Sequence, residues 1–216
     1  MATSVYQPDV EHITFSYLSA EDLSVAASIL YNAYFDDPLF TDIFNADKEG
    51  YEARLRSAIR EEVNTFWDAQ QPLVGLYEDD RLLAVSCLIS PDAAFGAGRF
   101  WHWRLKMLLT AGYFGTKQMI AKEEKVREQI PAENYHMLSL IGVHPDYQDI
   151  GLGHMLMSAI LGVLEDDPSS EGIGVLVTVD KCKSFFVDAA FSGVANISVG
   201  NITGNVMFRP RKLTSK

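Results

Sequence analysis

The order of elements predicted along the chain indicates an α/β (α+β) fold with a mixed, mostly antiparallel sheet and helices on both faces. Apolar runs typical of strands alternate with stretches whose apolar residues recur at helical spacing. One such helix, 151–164, lies between two strongly apolar strand-like runs, which predicts a parallel pair joined by a right-handed crossover. We expect the remaining strands to pair antiparallel.

Capping and turn signals separate the elements of the N-terminal half. Ser19 has the residue type preferred at helix N-caps, and Asp36-Asp37-Pro38 breaks the first helix because proline restricts the residue before it. Glu78-Asp79-Asp80-Arg81 is typical of a hairpin turn. The predicted elements are a strand over 13–18, helices over 21–34 and 48–69, and strands over 73–77 and 82–89.

The C-terminal half begins with a helical insertion, at about 96–131, which Pro131 ends. Its first half is aromatic and basic, and its second half is rich in both charges. The elements predicted after it are a strand over 135–143, a helix over 151–164, a strand over 173–179, a short helix over 183–189 and a closing hairpin within 193–209. We expect residues 1–216 to form one domain.

The composition excludes several classes of function. A net charge of −11 disfavours a nucleic-acid partner, since phosphate binding needs a basic face. It suits a cationic small molecule, with the alternative that the charge only keeps the protein in solution. No apolar run has the length of a membrane span, and no secretory signal is evident. The two cysteines, Cys87 and Cys182, do not suggest a disulfide framework, so we expect a cytoplasmic protein. No cluster with metal-ligand spacing is present, and we predict no metal.

The most informative stretch is 143–153, where an apolar strand meets a proline turn, a glycine-spaced loop and the start of a helix. Glycines remove the Cβ atoms, so backbone N–H groups can converge on an anion. The new helix adds the positive end of its dipole. The layout therefore predicts a phosphate cradle.

This loop resembles the cofactor loop of the GNAT superfamily, the acetyl-CoA-dependent N-acetyltransferases, which reads Gln/Arg-x-x-Gly-x-Gly/Ala. Here the loop reads Gln148-Asp149-Ile150-Gly151-Leu152-Gly153. The family's later Phe-Tyr-x-x-x-Gly-Phe is similar to Phe185-Phe186-Val187-Asp188-Ala189-Ala190-Phe191, and Asp36-Asp37-Pro38-Leu39-Phe40 resembles a segment common in one branch. The resemblance implies a GNAT-like sheet whose parallel pair splays apart.

The resemblance also implies acetyl-CoA as co-substrate, without a metal. Its pyrophosphate would bind the loop amides, and its pantetheine would pair with backbone near 141–143. Gly142 would fit the bulge that the family has in this strand, with simple close packing as the alternative. The implied cofactor-binding residues are Ile141, Gly142, Val143, Gln148, Asp149, Ile150, Gly151, Leu152, Gly153 and Phe186.

Two residues depart from the family pattern. Asp149 places a carboxylate in a phosphate loop, where it would repel the pyrophosphate by about 1–3 kcal/mol if partly solvated. Phe186 replaces the tyrosine that gives a proton to the departing thiolate in the family, and phenylalanine has no proton to give. Cys182, Ser184 or Tyr135 are alternative donors among which the sequence does not choose. Ala190 replaces a glycine, which is tolerable if the position needs no positive φ.

The candidate catalytic residues lie before and within the strand that leads to the loop. Glu133 and His136 are candidate bases that would deprotonate the amine, and Ser139 is a candidate to orient a water. The alternative for each is a surface strand residue. Asp36, Asp37 and Glu62 are unranked amine partners, and Trp101 and Trp103 would stack on a cationic acceptor or pack in a core or dimer interface.

The leading hypothesis is an N-acetyltransferase in which a primary amine of a small, cationic molecule attacks acetyl-CoA directly in a ternary complex. A backbone amide near Val143 would polarise the carbonyl. The alternative is a catalytically weak or inactive GNAT-fold protein that binds acyl-CoA as a sensor or interaction module. A homodimer and a longer acyl donor are left open.

Overall fold

The computed structural model describes residue 8 and residues 12–91 and 112–212. The first part of the predicted insertion, 96–111, which includes Trp101 and Trp103, lies outside the described residues. The strands are β1 (Ile13–Tyr17), β2 (Leu73–Glu78), β3 (Arg81–Ile89), β4 (His136–Val143), β5 (Gly172–Val177), β6 (Ser192–Val199) and β7 (Ile202–Pro210). The α-helices are α1 (Leu23–Tyr34), α2 (Pro38–Ile43), α3 (Tyr51–Asp68), α4 (Gly112–Gln129), α5 (Leu152–Asp166) and α6 (Lys183–Asp188).

The strands form one sheet in the order β1-β2-β3-β4-β5-β7-β6. The pair β4 and β5 is parallel, and the other neighbours in this order are antiparallel. Helix α5 connects the two parallel strands, as predicted from the apolar runs on either side of it. The predicted fold class is therefore confirmed.

Helices cover both faces of the sheet. Helices α1, α2, α3 and α4 contribute to one apolar cluster, whose fully buried members include Leu30, Phe44 and Leu55. Helices α5 and α6 contribute to a second cluster on the opposite face, with Leu156, Ile160 and Phe186 among its buried members. The sheet is thus the middle layer of three.

A short helix, α2, begins at the same proline that was predicted only to break the preceding helix. Asp37 is its N-cap, with its side chain accepting hydrogen bonds from the N–H groups of Leu39 and Phe40. Pro38 occupies the first helical turn, where its missing N–H costs nothing. The Asp-Pro pair therefore ends α1 and begins α2.

The bulge in β4 lies at Ser139 and not at Gly142. Cys87 pairs with Leu140 and the next residue, Leu88, pairs with Leu138, which leaves Ser139 as the extra residue. As a result Leu138 packs in the α5 cluster, whereas Leu140 packs in the opposite one. Gly142 instead packs closely on α1, where an added Cβ would lie 3.0 Å from the Ala33 Cβ. Close packing is thus the correct reading of Gly142.

Candidate active site

The parallel strands β4 and β5 pair over a short distance and then separate. Pairing runs from His136 opposite Ile173 to Leu138 opposite Val175. Beyond it the two strands line a cleft of about 130 Å³, which Ala33 and Tyr34 of α1 and Phe186 of α6 also line. The structure therefore contains a splayed strand pair of the kind that the sequence predicts.

The loop from β4 to α5 follows the end of β4 that diverges from β5. Gly151 caps α5 with φ +93°, and a Cβ built on it would meet no atom within 4 Å. Within the described residues, the N–H groups of 149–153 donate no hydrogen bond to protein atoms. Five consecutive donors at a helix N-terminus form a surface suited to a phosphate group.

Side chains hold this loop in place without lining it with charge. Gln148 donates from Nε2 to the carbonyl oxygen of Val143 at 3.2 Å, which ties the loop to the end of β4. Leu152 is buried, and Ile150 packs against the α5 cluster. Asp149 is exposed with φ +64°, and Arg81 is nearby because it donates to the hydroxyl of Tyr147 at 3.2 Å. Arg81 is a basic neighbour of the loop that the sequence pattern did not reveal.

Backbone donors of β4 point into the cleft. The N–H of His144 donates to Leu83 in β3, and N–H directions alternate along a strand, so those of Ile141 and Val143 face away from β3. The N–H of Ile141 donates to the hydroxyl of Tyr34 at 3.1 Å. The N–H of Val143 is therefore the cleft-facing donor near the loop that remains for a ligand.

A second, smaller pocket of about 60 Å³ lies beside the cleft, between α2, α4, β4 and β5. Its lining combines apolar side chains with charged ones from α4, namely Lys122, Glu123 and Arg127. The residues that line both the pocket and the cleft are Tyr34, Asp37, Leu138, Ser139, Leu176 and Thr178. This shared group marks the place where ligands from the two cavities would meet.

Asp37 is a buried carboxylate at this meeting point. Its Oδ1 caps α2, at 2.9 Å from the N of Leu39 and 3.2 Å from the N of Phe40. Its Oδ2 accepts a hydrogen bond from the Thr178 hydroxyl at 2.5 Å. Three donors satisfy the carboxylate and fix it between α1, α2 and the end of β5.

Tyr34 lies three residues before Asp37, at the end of α1. Its ring packs against Phe40 with centroids 4.9 Å apart, and its hydroxyl accepts from Ile141. Burial raises the pKa of the Tyr34 phenol well above its ordinary value, and the negative charge of Asp37 raises it further. The phenol is therefore protonated at neutral pH.

The three predicted catalytic residues separate into different places. Ser139 lies at the bulge and lines both cavities. His136 is fully buried at the paired end of β4, where Nδ1 is 2.9 Å from the Ser170 hydroxyl and Nε2 is 3.8 Å from Asp167. Glu133 is exposed in the bend before β4 and lines neither cavity. The structure thus brings Ser139 to the meeting point, and not His136 or Glu133.

Helix α6 places a phenylalanine ring in the cleft. Phe186 is buried and packs edge-on against Phe185 and Phe191. Of the alternative donors, Cys182 lines the cleft, Tyr135 lines the smaller pocket and Ser184 is exposed and lines neither. Burial raises the pKa values of the Cys182 thiol and the Tyr135 phenol.

The chain leaves α6 through a left-handed residue. Ala190 has φ +63°, its N–H donates to Val187, and the N–H of Phe191 donates to Phe186. These two bonds form a Schellman motif, in which glycine is the usual residue at this position. The position does need a positive φ, so alanine is strained there.

Helix α4 is held over the smaller pocket by contacts on its other sides. Gln118 donates to Asp42 of α2 at 3.1 Å, and Lys125 donates to the carbonyl oxygen of Ser198 in β6 at 2.6 Å. Asn201, in the turn after β6, also donates to Asp42 at 3.3 Å. The pocket wall is thus fastened to α2 and to the β6–β7 hairpin.

Sequence patterns missed part of this site. Asp37 carried a signal, since Asp before Pro is typical of a cap, but the pattern did not rank it above Asp36 or Glu62. Tyr34 and Thr178 carried none, because their partners lie 107 and 141 residues away in the chain. Only tertiary packing brings them to β4 and Asp37.

In 12–91 and 112–212, no group of three His, Cys, Asp or Glu side chains is arranged to hold a metal ion. Over the same residues, no helix has both the length and the apolar character needed to span a membrane.

No family model matches the chain. The chain is 24% identical over 205 residues to a Dictyostelium discoideum protein named "Probable serine/threonine-protein kinase". This match covers 87% of the chain but only 21% of that protein, so the chain spans about a fifth of its relative's length.

Solved structures of acetyltransferases resemble the whole fold. One, from Corynebacterium glutamicum and named histone acetyltransferase HPA2 and related acetyltransferase, has a TM-score of 0.69 and covers 94% of this chain and 99% of its own. A GCN5-related N-acetyltransferase from Rhodopseudomonas palustris has a TM-score of 0.53 and covers 98% and 100%. An aminoglycoside acetyltransferase in complex with coenzyme A has a TM-score of 0.54 and covers 93% and 95%. The identities are 13%, 13% and 11%, so the similarity is one of fold.

Proposed function

We propose that this chain, which has the GNAT fold, is an acetyl-CoA-dependent N-acetyltransferase that acts on a primary amine of a small molecule. The observation that supports it most is the meeting of two cavities, the β4–β5 cleft and the pocket under α4, at one shared group of residues. A transferase that works by direct attack needs such a junction between donor and acceptor. The acetyltransferases of similar fold support the reaction type.

Acetyl-CoA would enter from the loop side of the cleft. The free N–H groups of 149–153 suit its pyrophosphate, and the cleft suits its pantetheine arm. The N–H of Val143 would then donate to pantetheine or to the thioester carbonyl. In this proposal Ile141 and Phe186 line the cofactor cleft with their side chains, and Gly142 and Val143 contribute backbone at its loop end.

The acceptor amine would lie in the pocket under α4. Asp37 is the buried carboxylate on its border with the cleft, so we assign to it the binding and deprotonation of the ammonium group. Ser139 would orient the amine or a water from the bulge of β4. The nitrogen attacks the carbonyl carbon, the C–N bond forms, the C–S bond breaks and CoA leaves.

The alternative function is acyl-CoA binding without efficient turnover. Phe186 favours it, because α6 offers no proton donor to the cleft from that position. Exposed Asp149 also weakens phosphate binding without preventing it, since its side chain can remain in solvent. We also retain as proposals that residues 1–216 form one domain and that the protein is cytoplasmic.

Calorimetric titration with acetyl-CoA and with CoA tests the cofactor site first. We expect dissociation constants on the order of micromolar for both. Acetyl-CoA turnover is then followed by thiol release with a panel that holds a polyamine, an arylalkylamine and an amino acid. Binding with turnover supports the enzyme, binding without turnover with any amine supports the alternative, and no binding up to millimolar concentration contradicts both.

A further inference from the structure

The cleft contains few groups that can give a proton to a departing sulfur. Phe186 has none. Thr178 already donates its hydroxyl proton to Asp37, and no hydrogen bond to a described residue fixes the direction of the free Cys182 thiol. Among the described residues that line the cleft, Ser139 and Tyr34 therefore remain as hydroxyl donors.

Tyr34 is the better fixed of these two. Its ring packs on Phe40, and its oxygen accepts the N–H of Ile141 at 3.1 Å, so the hydroxyl is held against the part of β4 that faces the cleft. The oxygen uses a lone pair in this bond, and its own proton is donated to no atom of the described residues. The side chain lines the cleft and the acceptor pocket alike.

We propose that Tyr34 donates the proton that the CoA sulfur takes up, a role that residue 186 cannot fill in this chain. The inference rests on the acetyl transfer proposed above. As the amine nitrogen bonds to the carbonyl carbon, the C–S electron pair moves to sulfur and Tyr34 gives its proton there, which leaves CoA thiol and a phenolate. The ammonium group loses two protons in becoming an amide. Asp37 takes the first and passes it to solvent before the attack, and it takes the second as the C–N bond forms.

The proximity of Asp37 completes the proton balance. The protonated Asp37 then returns its proton to the Tyr34 phenolate, so the site is restored without an external reactant. The backbone N–H of Asp37 donates to the carbonyl oxygen of Tyr34 at 3.2 Å, and the two side chains border the same cavities. The raised pKa of Tyr34 keeps the phenol protonated before the reaction and makes it a weak acid, so its proton moves only as the C–S bond breaks. The phenolate that results is a strong acceptor for the returning proton.

The Tyr34→Phe variant tests this assignment because it keeps the ring on Phe40 and removes only the hydroxyl. We expect kcat to fall about 10²-fold or more, with the KM for acetyl-CoA changed by less than about threefold. Tyr51→Phe is the matched control. This variant also removes a tyrosine hydrogen bond near the end of α1, from the Tyr51 hydroxyl to the carbonyl oxygen of Phe35 at 2.6 Å. Tyr51 itself lines neither cavity.

A second hydroxyl placed across the cleft distinguishes proton donation from support of β4. In the double variant Tyr34→Phe, Phe186→Tyr we expect kcat to recover at least about tenfold over Tyr34→Phe, since a hydroxyl again reaches the sulfur. Phe186→Tyr alone is the reference for the double variant, since it measures what a hydroxyl at this cleft position does to acetyl-CoA binding and turnover while Tyr34 is present. Thermal unfolding of each variant shows whether the fold is intact.

The outcomes separate the two proposals. If the parent protein turns over acetyl-CoA and Tyr34→Phe does so at the same rate, the Tyr34 assignment is contradicted and the acetyltransferase proposal stands. A folded Tyr34→Phe with low kcat that Phe186→Tyr does not rescue assigns Tyr34 to positioning Ile141 and overturns proton donation. Absence of turnover in the parent with every amine contradicts the proposed enzyme and the Tyr34 role together.

Discussion

Replacing Ala190 by glycine should stabilise the protein, because Ala190 occupies a left-handed position that closes α6. Its φ is +63°, and the bonds from Ala190 to Val187 and from Phe191 to Phe186 require that conformation. A non-glycine residue there costs about 1–2 kcal/mol. The side chain is exposed, so its methyl group contributes little packing to offset this cost.

The expected gain is smaller than the strain that is relieved. Glycine is more flexible in the unfolded chain, which takes back about 0.4–1 kcal/mol. The net increase in the free energy of unfolding should therefore be about 0.5–1 kcal/mol, or a rise in Tm of about 1–4 °C for a protein of this size.

Urea unfolding followed by far-UV circular dichroism measures this difference from the midpoint at constant slope. Ala189→Gly is the control, since Ala189 has φ −83° and gains nothing from glycine. It should be neutral or destabilising. If Ala190→Gly is no more stable than the parent, the strain assigned to this turn is absent and the reasoning is refuted.

Three further substitutions test other parts of the structure. Asp149→Asn removes the carboxylate and keeps a residue type that tolerates positive φ, so it should tighten acetyl-CoA binding about 3- to 10-fold by calorimetry. The gain should shrink at high salt, and an unchanged Kd at low salt would contradict repulsion between Asp149 and the pyrophosphate. Gly151→Ala should lower the free energy of unfolding by about 1–2 kcal/mol in urea and weaken acetyl-CoA binding, because φ +93° admits no Cβ without strain; equal stability would count against that conformation. Arg211→Ala should lower the free energy of unfolding by about 2–3 kcal/mol in the same assay, because the guanidinium donates to the backbone carbonyls of Leu164, Asp167 and Ser170. The control Glu165→Gln removes only the surface ion pair with Arg211 and should lower it by less than about 1 kcal/mol.

The sequence predicts local features of this fold well. The strand and helix that frame the 148–153 loop, the parallel crossover through α5 and the hairpins all follow from apolar spacing and turn residues close together in the chain. The loop itself could be predicted because glycine at a positive φ and free N–H groups are properties of a few consecutive residues.

The residues at the junction of the two cavities could not be predicted in the same way. The bulge at Ser139 depends on how β4 pairs with β3, and it does not lie at Gly142, where the resemblance left a bulge and close packing as alternatives. Tyr34 and Thr178 meet their partners only after α1 and β5 pack beside β4. Histidine is a residue type suited to catalysis, yet the fold buries His136 beside Ser170 and Asp167, where it lines neither cavity.

The attachment of α4 has a consequence for how acceptor preference could change. The cleft is built by β4, β5, α1 and α6, whereas Lys122, Glu123 and Arg127 of the smaller pocket belong to a helix fastened to α2 and to the β6–β7 hairpin. A substitution at Gln118 or Lys125 would remove one of these contacts of the helix without touching the 148–153 loop. In the proposed enzyme, a change in the tilt of this one helix would therefore alter which amines fit, while the cleft and the 148–153 loop stay the same.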